Sequence, residues 1–157
     1  MCGQKTSGQS SSTLDIHLGY WLRLVSNNVS GNFARALQER SVSVAEWVAL
    51  NQIQRWADMT PAKLADAMGV TRGAISKILD KLQEKAWISR MTSDGDNRVR
   101  YLALTPKGVQ VLPELTAIAN QNDEHFFGAL SSDERATLRG LLSRLADVHR
   151  ISTIPVD

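Results

Sequence analysis

Three histidines (His17, His125 and His149), a single cysteine (Cys2) and sixteen acids are the side chains suited to nucleophilic, proton-transfer or metal chemistry. They are scattered rather than grouped. Asp15 and His17, like Asp147 and His149, stand two positions apart, a spacing that on a helix sends the two side chains to different faces. The run Gly69-Val70-Thr71-Arg72-Gly73 is too short for a phosphate-binding loop and lacks its Lys-Ser/Thr ending. No catalytic constellation results, so the sequence excludes an enzyme and calls for no cofactor and no catalytic residue. Asp123, Glu124 and His125 would hold a metal only if folding brought His17 or His149 beside them, so no metal site is assigned. One thiol makes neither an internal disulfide nor a multi-cysteine zinc site, which reads as a reduced, cytoplasmic protein.

The basic side chains carry more information. Residues 60–108 hold nine Lys/Arg and five Asp/Glu, net +4, whereas residues 1–59 carry +1, residues 109–157 carry −3 and the whole chain +2. A basic middle segment flanked by neutral and acidic ones is the electrostatic footprint of a nucleic-acid-binding unit.

The elements that must position these charges are mostly helical. At 157 residues, with 43% apolar and 22% charged residues, the chain suits one globular unit. No apolar run approaches the roughly 18 residues of a membrane span, so no membrane partner is expected. Residues 1–13 are polar and read as a disordered tail rather than a secretory signal. From Leu14 to about Glu39, apolar residues recur at helical spacing through Leu18, Trp21, Leu22, Val25, Val29, Phe33 and Leu37. Ser43 and Glu46 form a capping-box pattern ahead of a second helix over Trp47, Leu50, Ile53 and Trp56. Thr60-Pro61 starts a third helix, which Gly69 stops. Thr71 caps a fourth, with Ile75, Ile78, Leu79 and Leu82 on one face and Arg72, Ser76, Lys77, Asp80 and Lys81 on the other.

Two short helices joined by a glycine-bearing turn make a helix-turn-helix signature. Trp87 to Thr92 then reads as a strand, Ser93 to Asn97 as a loop dense in turn formers, and Arg98 to Leu104 as a second strand. A hairpin directly after a helix-turn-helix is a winged helix. Thr105-Pro106 opens a further helix to about His125–Phe127, which Pro113 must kink or interrupt. Ser131 and Glu134 cap a last one with Leu138, Leu141, Leu142, Leu145 and Val148 on one stripe. The predicted fold class is therefore mostly α with a small β-hairpin wing. The domain reading is a tail over 1–13, an N-terminal dimerisation helix within 14–42, a winged-helix lobe over 43–108, and C-terminal dimerisation helices over 109–157.

The span from Thr60 to Gly108 resembles the MarR (multiple antibiotic resistance regulator) family of winged-helix transcription regulators. The resemblance rests on Leu64-Ala65, on Thr71 through Leu82, on Arg90, on Asp96-Asn97-Arg98, and on Leu102-Ala103-Leu104-Thr105-Pro106-Lys107-Gly108. With the flanking helices it extends over about Leu14 to Ile151. The chain departs from the family pattern at Gly95, where a wing proline is common, and at Val99, where a second arginine is frequent. It departs again at Ala86, where glycine is usual; alanine there is uncomfortable if the backbone needs φ > 0.

The resemblance implies a cytoplasmic bacterial or archaeal homodimer, on the nucleoid when bound to double-stranded DNA. It implies a repressor, with a pseudo-palindromic operator as the site and release by a small organic effector, aromatic or other. The recognition helix would lie in the major groove, with Arg72, Gly73, Ser76 and Lys77 toward base edges and Lys81 toward phosphate. The wing would probe the minor groove with Arg98, which Asp96 orients through a paired hydrogen bond. Arg90, Arg100 and Lys107 would meet phosphates. His17, Tyr20, Trp21 and Trp47 are candidate walls of an effector pocket. The alternatives are a metal- or redox-responsive regulator of the same fold and a winged-helix module that binds protein.

Overall fold

A computed structural model describes residues 13–93 and 95–157, with the side chains of residues 93 and 96–99 outside the description. The tail expected over 1–13 therefore falls, except for Thr13, outside the described residues, and Cys2 with it.

Helix α1 spans Leu18–Gln38, later than the apolar periodicity suggests. Leu14–Ile16 forms a separate 3-10 turn, and His17 is extended (φ −94°, ψ 123°). The Trp21 indole N–H donates to the Asp15 carbonyl at 2.7 Å, which folds that turn back along α1. Helix α2, Val44–Arg55, starts at the expected capping box: the Glu46 N–H donates to Ser43 Oγ (3.1 Å) and the Ser43 N–H to the Glu46 carboxylate (3.3 Å). Helix α3, Pro61–Met68, is capped by Thr60, whose Oγ1 accepts from the Lys63 N–H, and it ends at Gly69 in the left-handed region (φ 63°). Helix α4, Arg72–Glu84, is capped by Thr71 and runs two residues past the apolar pattern.

Strands β1, Ile88–Ser93, and β2, Asp96–Leu104, pair antiparallel, with Ile88 opposite Leu104 and Arg90 opposite Leu102. The loop expected over 93–97 is shorter than its composition suggests. The register jumps from Thr92↔Arg100 to Ser93↔Asp96, so a bulge in β2 absorbs residues that would otherwise form the loop. The Leu102 N–H donates to the Met59 carbonyl (2.8 Å), tying the hairpin to the α2–α3 connection.

Helix α5, Pro106–Phe127, runs unbroken past Pro113, which corrects the expectation of an interruption. The proline withholds one hydrogen bond from the Val109 carbonyl. Both residues are exposed, so water can serve that carbonyl. The start of α5 is tightly built. Thr105 Oγ1 accepts from the Gly108 N–H (3.1 Å) and donates to the Ala86 carbonyl (2.6 Å). A Cβ on Gly108 would stand 2.1 Å from the Trp87 carbonyl oxygen, so only glycine lets α5 pass the end of the lobe. Helix α6 is Ser132–Val148, capped by the predicted Ser131/Glu134 box.

The core gathers Leu50, Leu64, Met68, Ile75, Leu79, Leu82 and Leu102 from the lobe with Leu37, Leu112 and Leu115 from α1 and α5. Asn122 is buried between α1 and α5. It donates to the Val29 carbonyl (3.2 Å) and accepts from Asn32 (2.8 Å), so its polar groups are served where the two helices cross. One charged pair is also drawn in. Lys85 Nζ donates to the buried Glu46 carboxylate and to the Ser41 carbonyl, both at 2.6 Å, and sits 4.9 Å from the centre of the Trp87 ring. It locks the C-terminal end of α4 to the start of α2.

Two substitutions test these local constraints. Ala86 occupies the left-handed region (φ 59°) after α4, where the Trp87 N–H returns to the Leu82 carbonyl. Ala86→Gly removes the Cβ penalty of about 1 kcal/mol, and the expected outcome is a higher denaturant midpoint in a urea melt. Glu46→Gln keeps the shape of the cap but strips Lys85 of its counter-charge, and the same melt is expected to show a loss of about 1–3 kcal/mol.

Candidate nucleic-acid interface

Because Ile75, Leu79 and Leu82 are buried, the opposite side of α4 is turned to solvent. Arg72, Gly73, Ser76, Lys77 and Lys81 are all exposed there. Among the described residues, none of the three cations on this face pairs with a carboxylate. Arg72 stands at the Thr71-capped start of the helix, Lys77 in its middle and Lys81 in its last turn, so positive charge is spread along the exposed face.

Gly73 is informative because the fold does not ask for it. A Cβ there would meet only Thr71 Oγ1, at 3.9 Å, and the position lies in the first turn of an ordinary right-handed helix. Glycine in a helix costs roughly 0.5–1 kcal/mol relative to alanine. The missing side chain is therefore unexplained by anything inside the chain.

The hairpin stands beside this face. Arg90, expected to be free for phosphate, instead donates from Nη2 to Asp80 Oδ1 at 3.0 Å, and its guanidinium is largely covered. It joins β1 to α4. Its Nε is buried without an acceptor among the described residues. Arg100 and Lys107 are exposed. The side chains of Asp96 and Arg98 lie outside the described residues, and only the backbone of their strand is placed. From the first turn of α3, Lys63 hydrogen-bonds Asp58 of the preceding turn, and that bond together with its charge holds the Asp58 carboxyl below the ordinary carboxylate range.

The structure does not bring the four suggested effector-pocket residues together. Tyr20 and Trp21 pack edge to face (5.5 Å) at the exposed start of α1, next to His17. Trp47 packs on Phe33 (5.0 Å), twelve residues or roughly 18 Å further along α1. Trp21 lines an apolar groove of ≈570 Å³ with Leu18, Leu22, Phe127, Leu142 and Leu145. Among the described residues no three His, Cys, Asp or Glu side chains gather to hold a metal, and Glu124 is bonded to Arg135 (3.0 Å). Nor, among them, is any helix long and apolar enough to cross a membrane.

Sequence reasoning missed Lys85, which only the fold brings to Glu46, and the role of Asp80. The second had a signal. Asp80 and Glu84 are the two acids on the solvent side of α4, and Asp80 stands ten positions before Arg90.

A hairpin-bearing helix-turn-helix with an outward basic face defines a winged-helix DNA-binding protein. Residues 42–99 match the model of the MarR family. A Thauera aromatica protein assigned to transcriptional regulation of the hcr operon is 36% identical over 129 residues, covering 82% of this chain and 78% of that protein. The structure of a cysteine-to-serine variant of Escherichia coli MarR complexed with operator DNA superposes with a TM-score of 0.67 at 26% identity, covering 82% of this chain and 92% of that one. A Mycobacterium tuberculosis MarR family protein in complex with salicylic acid gives a TM-score of 0.67 at 23% identity, with 82% and 96% covered. The chain belongs to the MarR family. It is a DNA-binding transcriptional regulator and not an enzyme.

Gly73→Ala separates stability from recognition. The expected outcome is a urea midpoint equal to or above that of the parent, together with weaker binding of duplex DNA in a titration at fixed salt. Unchanged DNA binding would leave the glycine without a function.

Proposed function

We propose that the chain acts as a homodimeric repressor that grips a pseudo-palindromic operator with two copies of α4 and lets go when a small organic ligand binds. The observation that carries this reading is the outer face of α4. Three exposed cations, a serine and a glycine that the fold does not require lie on one surface, with an arginine-bearing hairpin beside it. Arg72 and Lys77 are suited to guanine edges and Ser76 to base or phosphate, while Gly73 admits close approach of the groove. Lys81, Arg100 and Lys107 are assigned to phosphate, and Arg98, steadied by Asp96, to the minor groove. Arg90 is reassigned from phosphate contact to holding the wing against α4 through Asp80. The complex of the Escherichia coli MarR variant with operator DNA supports operator DNA as the partner.

The dimer is supported by what a single chain leaves uncovered. Helix α6 buries none of its seventeen residues, and Leu141 (55%), Leu145 (52%) and Val148 (68%) are exposed along one stripe. Leu18 and Leu22 are exposed on α1, across the apolar groove. Most helical stability comes from packing an apolar face, so this stripe needs a partner, and a second copy supplies matching faces by symmetry. Trp21 lines that groove, with Tyr20 packed edge to face against it. Trp47 remains the effector candidate: its indole N–H is buried without an acceptor among the described residues, which an organic acid would satisfy. The salicylic acid complex of the Mycobacterium tuberculosis protein supports that class of ligand.

Two measurements decide between this reading and a protein-binding module. In fluorescence anisotropy with a duplex from the protein's own upstream region, affinity is expected to fall steeply as salt rises. Arg98→Ala is expected to weaken binding by about 1–3 kcal/mol at fixed salt. No binding at low salt would refute the reading. Leu142→Asp is expected to sediment as a monomer, and a parent that already sediments as a monomer would refute the dimer.

A further inference from the structure

The last residues of the chain turn back onto the lobe. At the end of α6 the Ile151 N–H bonds the Ala146 carbonyl (2.9 Å), and Arg150 adopts the left-handed region (φ 54°), which redirects the backbone. The following segment crosses to the end of α3. There the Ile154 N–H donates to the Ala67 carbonyl (3.3 Å), and Ile154 and Val156 pack, half-buried, against the core. A Cβ on Gly69 would lie 2.6 Å from Thr153 Cγ2. Gly69 thus meets two demands at once, the left-handed turn of the helix-turn-helix and the passage of this segment.

Which groups are joined gives the segment its meaning. Helix α6 has no buried residue in its own chain, so it belongs with the surface assigned to the partner copy, whereas Ala67 lies in the last turn of α3 and Gly69 opens the turn that feeds α4. The helix-turn-helix already has its own closure at that turn, where the Val70 N–H bonds the Ala65 carbonyl (3.1 Å). The Ala67 carbonyl is one of the last of α3 and takes its bond from the returning segment. We propose that residues 151–157 form a strap that fixes the angle between the winged-helix lobe and α6, and so holds α4 in the orientation that DNA requires. The link to DNA rests on the function proposed above; the fixed angle does not.

The test uses the full chain with Cys2→Ser as the parent. Nitroxide labels on Lys77→Cys and Arg144→Cys of one chain, diluted with an excess of unlabelled protein, report the distance between α4 and α6 without DNA. A truncation after Ile151 is expected to broaden that distance distribution. It is also expected to weaken binding of the upstream duplex about tenfold. Circular dichroism should show the helical signal retained. If truncation unfolds the lobe, the full-length pair Ile154→Ser and Val156→Ser gives the same readings. In a chain without labels, a disulfide between Ala67→Cys and Ile154→Cys is expected to keep parental affinity when oxidised. An unchanged distance distribution in the truncated or substituted chain overturns the strap, whatever the DNA result. A broadened distribution with a parent that binds no duplex upholds the strap and refutes the DNA reading.

Discussion

The structure depends on the burial of one stripe of α4. Ile75, Leu79 and Leu82 are almost wholly removed from water, against Leu50, Leu64 and Met68 among others. Each such side chain contributes roughly 1.5–3 kcal/mol on burial, far more than any surface charge pair in the chain. That packing fixes the rotation of α4 about its axis. Once the rotation is fixed, Arg72, Ser76 and Lys77 have only solvent to face. The electrostatics of the outer side follow from the hydrophobic order of the inner side.

Around this stripe the charged pairs serve as positioners. Lys85 with Glu46 holds the end of α4 to the start of α2, and Arg90 with Asp80 holds the hairpin to the middle of α4. The cations therefore divide by burial. Those half covered are bonded inside the chain and set angles, while those exposed on α4 are left to meet something outside it. The same division separates the two parts of the molecule. The lobe closes its core with the end of α1 and the start of α5, whereas α6 has no buried residue and the start of α1 leaves Leu14, Leu18 and Leu22 exposed. A lobe with a closed core, joined to ends that one chain leaves uncovered, is suited to the dimer proposed above.

Most of the fold was legible in the sequence because it is marked by local chemistry. The Ser43/Glu46 and Ser131/Glu134 boxes, Thr60-Pro61, Thr105-Pro106 and Gly69 each fix an end within a turn of chain, and each stands where its residue types place it. Where the reading missed, longer-range packing had decided. An extended His17 separated Leu14–Ile16 from the first helix, a register jump shortened the wing loop, and an exposed face let α5 pass Pro113. The outer face of α4 was legible because helical periodicity alone sorts polar from apolar. The pairings of Arg90 with Asp80 and of Lys85 with Glu46 were not, since they join residues brought together only by the turn between α4 and β1 or by the return of α4 to α2. Nor was the separation of Trp47 from Trp21, which depends on which part of α1 faces α2.

Affinity cleavage tests the central claim, that the outer face of α4 enters the wide groove of DNA, most directly. A Ser76→Cys chain in the Cys2→Ser background, carrying an iron chelate on the new thiol, is bound to the upstream duplex and activated. The account predicts cuts in two clusters about one helical turn apart, with the strand offset that marks the major groove. Cleavage spread evenly along the duplex, or clustered with the minor-groove offset, would contradict it.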